Sequence, residues 1–156
     1  GNHDILTKEE DTIVNLLKEN SVTVLRDESV LINDEFYIIG RDDITVSRYS
    51  NKPRATLEDL TKDLDKSKPL IVIDHNPKYI DESLDANIDL QLSGHTHRGQ
   101  IIPGNLVTNK IFEVDYGYLK NDNLNVVVSS GYGTWGPPIR LGSRSEIVQI
   151  NLGMKE

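Results

Sequence analysis

The chain has 156 residues, enough to build one hydrophobic core, and its 17 basic and 25 acidic side chains leave a net charge of −8. That balance excludes a broad nucleic-acid or anionic-membrane surface, yet it permits a small anionic substrate wherever bound cations supply local positive charge. The absence of cysteine excludes a disulfide framework and a thiolate metal site, and no apolar run approaches 18 residues, so the chain itself is expected to be soluble.

In chain order, Gly1-Asn2-His3-Asp4 opens the sequence, and Thr7-Lys8-Glu9-Glu10 reads as a capping box. The stripe Ile13, Val14, Leu16, Leu17 predicts a helix that ends near Glu19-Asn20-Ser21. Strands are expected at about Val22–Leu25, Ser29–Ile32 and Phe36–Gly40, with Asn33-Asp34-Glu35 as a hairpin turn between the last two. Residues 41–55 are polar and read as a long loop, and Thr56–Leu64 as a short amphipathic helix. Pro69 precedes Leu70-Ile71-Val72-Ile73, a continuous apolar run typical of a buried strand. Further strands are expected at Asp89–Leu92, at Leu124–Ser129 after the turn Asn121-Asp122-Asn123, and at Glu146–Leu152. The order predicts an α/β fold.

All four histidines fall in short motifs of metal-ligand character. His3 lies in Gly1-Asn2-His3-Asp4, His75 in Asp74-His75-Asn76-Pro77, and His95 and His97 in Ser93-Gly94-His95-Thr96-His97. Neutral imidazole is a common transition-metal ligand, and Asn and Asp beside it suit borderline or harder divalent ions. The last two motifs follow apolar strands directly, and ligands of α/β sheets gather beyond the carboxyl ends of strands. On an extended segment His95 and His97 would point the same way, each toward one of two adjacent metals, and Gly94 would let the backbone approach closely. The alternative for this pair is two imidazoles in a polar turn. For His75 it is a hydrogen-bonded structural residue, and for the first four residues a frayed terminus.

The ordered set Gly-Asn-His-Asp, His-Asn-Pro, Gly-His-Thr-His resembles the second half of the calcineurin-like metallophosphoesterases. The resemblance implies a sandwich of two mixed β-sheets flanked by helices, of which this chain holds the later strands. It also implies hydrolysis of a phosphomonoester or phosphodiester at a centre of two divalent metals (Mn, Fe, Ni or Zn). In that scheme Asn2, His75 and His95 hold one metal and His97 the other. His3 contacts the phosphate and protonates the leaving alkoxide, while Asp4 holds its other nitrogen. The family's Asp-x-His and Gly-Asp-x-x-Asp motifs have no counterpart here. Residues 1–156 are therefore expected to be the C-terminal part of one domain, able to hold at most one metal weakly and nearly inactive alone. The longer bacterial parent would be cytoplasmic, or membrane-associated or exported by a segment outside this sequence.

Several features stand beside these motifs. The segment Ser129–Gly142, with Gly131, Gly133, Trp135, Pro137-Pro138 and Arg140, resembles the Ser-Gly-x-Gly-Thr…Pro-x-Arg stretch of a branch that includes membrane-associated bacterial phosphoesterases. Arg140 is a candidate phosphate partner or a surface ion pair, and Arg98, replacing a family Gly, a candidate substrate contact or a solvated side chain. Asp74 departs from the small or apolar residue usual before that His, and is either a partner orienting an imidazole or an exposed strand-end residue. Gly40-Arg41-Asp42-Asp43 resembles the family's Gly-x-x-Asp and is expected to be structural. A competing reading from another class is a non-catalytic fragment or interaction domain that retains family motifs. Strands selected for cover on both faces also predict a homodimer through exposed sheet.

Overall fold

The apolar runs after Pro69 and Asn123 form the centre of a mixed sheet. The computed structural model describes residues 1–6, 10–49 and 53–153, so the capping box that Thr7 would open lies outside the described residues at Thr7-Lys8-Glu9. The strands are β1 (Glu28–Ile32), β2 (Phe36–Gly40), β3 (Leu70–Ile73), β4 (Leu90–Ser93), β5 (Gly117–Asn121) and β6 (Leu124–Val128), in the spatial order β1-β2-β3-β4-β6-β5. β2, β3, β4 and β6 run parallel, and antiparallel β1 and β5 close the two edges. The helices are α1 (Asn2–Leu6), α2 (Glu10–Glu19), α3 (Val46–Tyr49), α4 (Leu57–Thr61), α5 (Ile80–Asp85) and α6 (Gly104–Ile111). The fold is α/β, and the described residues contribute one six-stranded mixed sheet flanked by helices.

Register decides which side chains share a face. Ile39, Val72, Gln91, Val126 and Leu119 stand side by side across five strands. With Leu70, Leu124 and Val128 they form the core face, which Leu57 of α4 and Ile80 of α5 cover. Each fully buried aliphatic side chain there contributes about 1.5–3 kcal/mol. Gln91 is the polar member of the row; its amide oxygen accepts from Ser83 Oγ at 2.6 Å and its nitrogen donates to Ser93 Oγ at 3.1 Å, so its burial leaves neither end unmatched. The opposite face is less covered, with Ile73 47 % and Tyr118 62 % exposed.

Turn chemistry follows the sequence closely. Asn33 (φ 49°) and Asp34 (φ 62°) take the left-handed conformation that a tight hairpin needs, and Glu35 N–H closes the turn on Ile32 O at 2.8 Å. Asp122 (φ 50°) does the same between β5 and β6. Helix α2 ends where expected, with Ser21 at φ 61° and Val22 N–H donating to Leu17 O at 2.9 Å.

Three expectations are corrected. Val22–Leu25 is not a strand: Val24 and Leu25 line a cleft with Ile13, Val14 and Leu17 of α2, so packing against a helix replaces a ladder. Glu146–Leu152 is not a strand either. Its alternating apolar residues stay largely exposed, Ile147 at 86 %, while Gln149–Gly153 lie against Leu90, Tyr118 and Val127 on the less covered face. The loop after β2 contains the short helix α3, begun by Asp43, whose Oδ1 accepts from the Thr45 amide and hydroxyl. Helices α5 and α6 and strand β5 are additions that the periodicity of short segments does not reveal. No helix among the described residues is long and apolar enough to cross a membrane.

Candidate metal centre

Because β2, β3, β4 and β6 are parallel, their carboxyl ends meet at one edge, and four chain segments leave the sheet together. The ladder continues past the strands and ties them. Arg41 N–H donates to Ile73 O (3.1 Å), Asp74 N–H to Leu92 O (3.1 Å), Gly94 N–H to His75 O (3.0 Å) and Ser129 N–H to Ser93 O (2.9 Å). His75 and His95 therefore start from backbone as rigid as the sheet.

Their side chains converge with Asn2. His75 Nε2 lies 3.0 Å from Asn2 Oδ1 and 3.3 Å from His95 Nδ1, the rings meeting edge to face at 5.1 Å between centroids. Ligand bonds of about 2.0–2.2 Å place neighbouring donors about 3.0–3.4 Å apart around one cation, so these three atoms have the spacing of ligands on a shared ion. Among the described residues no three His, Asp or Glu side chains cluster as ligands; the Asn2 amide supplies the third donor here. The three flank a cleft of about 500 Å³ that His3, His97, Val107, Phe112 and Trp135 also line.

His97 does not join this group, and the reason is backbone conformation. His95 (φ 68°) and His97 (φ 50°) are left-handed, with Thr96 between them near helical values (φ −72°, ψ −24°). The segment is thus a tight turn and not the extended run that would aim both rings alike. His95 turns to His75, while His97 Nδ1 sits 3.4 Å from Arg140 Nη2. Left-handed non-glycine residues are costly, about 1–2 kcal/mol each, and surrounding bonds hold them. Thr96 Oγ1 donates to Asp115 O at 2.6 Å, and the Gln100 side-chain amide donates to Trp135 O (2.8 Å) and accepts from Trp135 N–H (2.9 Å). Gly99 (φ 70°) lets the 3₁₀ turn His97–Gly99 touch α6, where a Cβ would overlap the Asn105 amide nitrogen. Gly94 has no such role, since a Cβ there would meet only Ser129 O at 4.0 Å.

The remaining candidates fall around this group. Asn2, His3 and Asp4 lie on α1, and the Asp4 carboxylate accepts from the Gly1 ammonium at 2.6 Å. Arg140 spends its guanidinium on the loop 129–143, donating to Ser130 O (2.8 Å), Gly131 O (3.1 Å) and Gly133 O. It therefore wraps the glycine-rich segment around His97. Arg98 stacks 4.4 Å from the Tyr116 ring centroid and lines a neighbouring cleft with Ser143 and Arg144, away from the His75–His95 pair.

Asp74 is neither exposed nor bonded to an imidazole. It is 3 % exposed; its Oδ2 accepts from Arg54 Nη1 (2.9 Å) and Arg41 Nη1 (3.4 Å), and its Oδ1 from Asn76 N–H (3.3 Å). Arg41 also grips both oxygens of Glu82 at 2.7 and 3.1 Å. Burial pushes the Asp74 carboxyl up against the pull of Arg54 and Arg41. The Glu82 carboxyl, although burial pushes it up, is held below its usual value by Arg41, the Leu57 amide and Arg54. This network fixes the β3 exit from which His75 projects.

Burial lowers all three imidazoles. His75 falls to about 4, through desolvation first and then the Gly1 ammonium and His95. His95 and His97 are lowered by burial first, and His97 also by Arg140. The folded values lie below the ordinary 6.5, so below that pH the unfolded chain binds protons that the folded one refuses. Stability is complete above pH 6.5 and declines as pH falls toward 4, by up to about 3 kcal/mol from His75. Urea unfolding at pH 7.5 and pH 5 checks this, and His75→Gln should flatten the decline.

Parallel strand ends that carry two adjacent His side chains, met by Asn2 of α1, define an α/β protein with a candidate metal site. No family profile and no solved structure matches the chain. Curated relatives do match. An uncharacterized metallophosphoesterase of Aquifex aeolicus is 32 % identical over 97 % of this chain and 58 % of its own length. One from Helicobacter pylori is 34 % identical over 97 % of this chain and 41 % of its own. A bovine transmembrane protein with metallophosphoesterase domain is 33 % identical over 97 % of this chain and 37 % of its own. The chain spans about 40–60 % of the length of these relatives. On these similarities the chain belongs to the metallophosphoesterase family.

Proposed function

We propose that this chain provides the Asn/His side of a phosphohydrolase centre acting on phosphate monoesters or diesters. The observation that carries the reading is the convergence of Asn2 Oδ1, His75 Nε2 and His95 Nδ1 at 3.0 and 3.3 Å. Three neutral donors at that spacing fit one divalent cation of the Mn, Fe, Ni or Zn kind. When two such ions are bound, they supply Lewis-acid charge for the phosphoryl oxygens. Within this chain His3, which lines the cleft, would give a proton to the leaving oxygen. Arg140 holds His97 and the 129–143 loop, which keeps the ring of His97 available to the second cation's side of the cleft. Trp135 and Phe112 supply apolar wall and limit water.

One observation favours the competing, non-catalytic reading for the chain taken alone: the described residues gather donors for a single cation and leave His97 apart. The two readings part in solution. Calorimetric titration with Mn²⁺ or Zn²⁺ is expected to show one weak site per chain, with nearly no turnover of p-nitrophenyl phosphate esters. Two tight sites, or robust metal-dependent turnover, would defeat the assignment of half a centre.

A further inference from the structure

The two carboxylate oxygens of Asp43 have different surroundings, although the residue is only 4 % exposed. Oδ1 accepts from the Thr45 amide at 2.9 Å and the Thr45 hydroxyl at 2.7 Å. Oδ2 is buried and has no hydrogen-bond partner. An ionised oxygen removed from water without a donor is costly, and such a group persists where its charge is used. Neighbouring cations do not use it. Arg41 gives its Nη1 and Nη2 to Glu82, Ala55 O and Asp74 and leaves its Nε without a partner, and Arg26 grips Asp42 at 2.9 Å through two nitrogens.

What adjoins Asp43 is the exit of β3, which carries His75. The chain leaves β2 next to the end of β3, with Arg41 N–H bonded to Ile73 O, so Asp43 and His75 exit from adjacent strands. Gly1 lines the same cleft as Asp43 and also lies against the His75 ring, where a Cβ on Gly1 would come within 2.9 Å of Nε2. The donors facing the cation position, Asn2, His75 and His95, are all neutral. A dication among neutral, half-buried donors is held more tightly when a nearby carboxylate balances its charge.

We propose that Asp43 is a positioning residue for the cation held by Asn2, His75 and His95, its free Oδ2 supplying the negative charge that this donor set lacks. The inference rests on the metal reading given above. It extends that reading to the Gly40-Arg41-Asp42-Asp43 stretch, whose sequence suggests only a structural part.

The test is calorimetric titration of the 156-residue chain with Mn²⁺ and Zn²⁺, alongside thermal melting in EDTA, for the parent sequence, Asp43→Asn and His75→Ala. Asparagine keeps an oxygen for Thr45 and puts a neutral amide nitrogen in place of the charged Oδ2. Asp43→Asn is expected to raise Kd about 10–100-fold, while its melting temperature in EDTA stays equal to or above that of the parent, because an unmatched buried charge has gone. His75→Ala should weaken binding as well. Weakening by His75→Ala with no change in Asp43→Asn would overturn the role of Asp43 and leave the metal reading standing. No effect of either substitution, or no binding of either metal to the parent chain, would overturn both. A lower melting temperature in EDTA with unchanged Kd would make Asp43 purely structural.

Discussion

Arg41→Ala is expected to destabilise the chain by about 3–5 kcal/mol, the cost of stripping one partner from a buried ion network. Arg41 has a side chain only 1 % exposed and serves two carboxylates, Asp74 at 4 % and Glu82 at 32 % side-chain exposure. Removing it leaves Arg54 as the remaining guanidinium on both. Glu82 is partly wetted, so its share is discounted for solvent screening and the lower end of the range is the better guide. Against a typical stability of about 5–15 kcal/mol the loss is large, and it corresponds to a fall in melting temperature of roughly 6–20 °C. Arg41→Lys should recover only part of it, because an ammonium cannot grip Glu82 with two parallel bonds as the guanidinium does. Urea unfolding measures the effect; a change below 1 kcal/mol would mean that the network contributes little beyond its own desolvation.

His75→Ala is expected to remove at least about 100-fold of kcat/KM, roughly 2.7 kcal/mol of transition-state stabilisation, in a longer protein engineered or found to supply Asp-x-His and Gly-Asp-x-x-Asp ligands alongside this sequence. His75 is the middle donor, within 3.3 Å of both Asn2 and His95, so its loss leaves two donors with nothing between them. His97→Ala is expected to cost as much, by emptying the other side of the cleft. The substitutions should separate in binding. His75→Ala weakens uptake of the cation measured on the isolated chain, whereas His97→Ala does not, because His97 faces Arg140. Turnover of p-nitrophenyl phosphate esters that survives both substitutions would remove the basis for the site.

Much of this was legible in residue order. Leu70–Ile73 and Leu124–Val128 are continuous apolar runs, and buried parallel strands require such runs. Asn33-Asp34 and Asp122 tolerate positive φ and so announce the hairpins between β1 and β2 and between β5 and β6. The spacing of motifs from those strands was enough to bring His75 and His95 to one edge, because parallel strands share their carboxyl ends. Glu146–Leu152 misleads for the complementary reason. Alternation states that one side of a segment is apolar, but it does not supply a neighbour with free N–H and C=O groups, and this segment lies across the sheet face instead.

Local sequence therefore determined which segments are strands and which end of the sheet carries the donors. Tertiary structure decided where each donor points. His95 and His97 diverge because Thr96 and Gln100 are held by Asp115 and Trp135, residues 19 and 35 positions away, in a turn that their own propensities do not favour. Asp74 turns to Arg41 and Arg54 and not to an imidazole, since those cations arrive from β2 and the loop before α4. Asp43 shows the same division. Its place after β2 follows from the chain, but the burial and isolation of its Oδ2 near the β3 exit arise only when β2 and β3 pair, because burial and charge are properties of what surrounds a group.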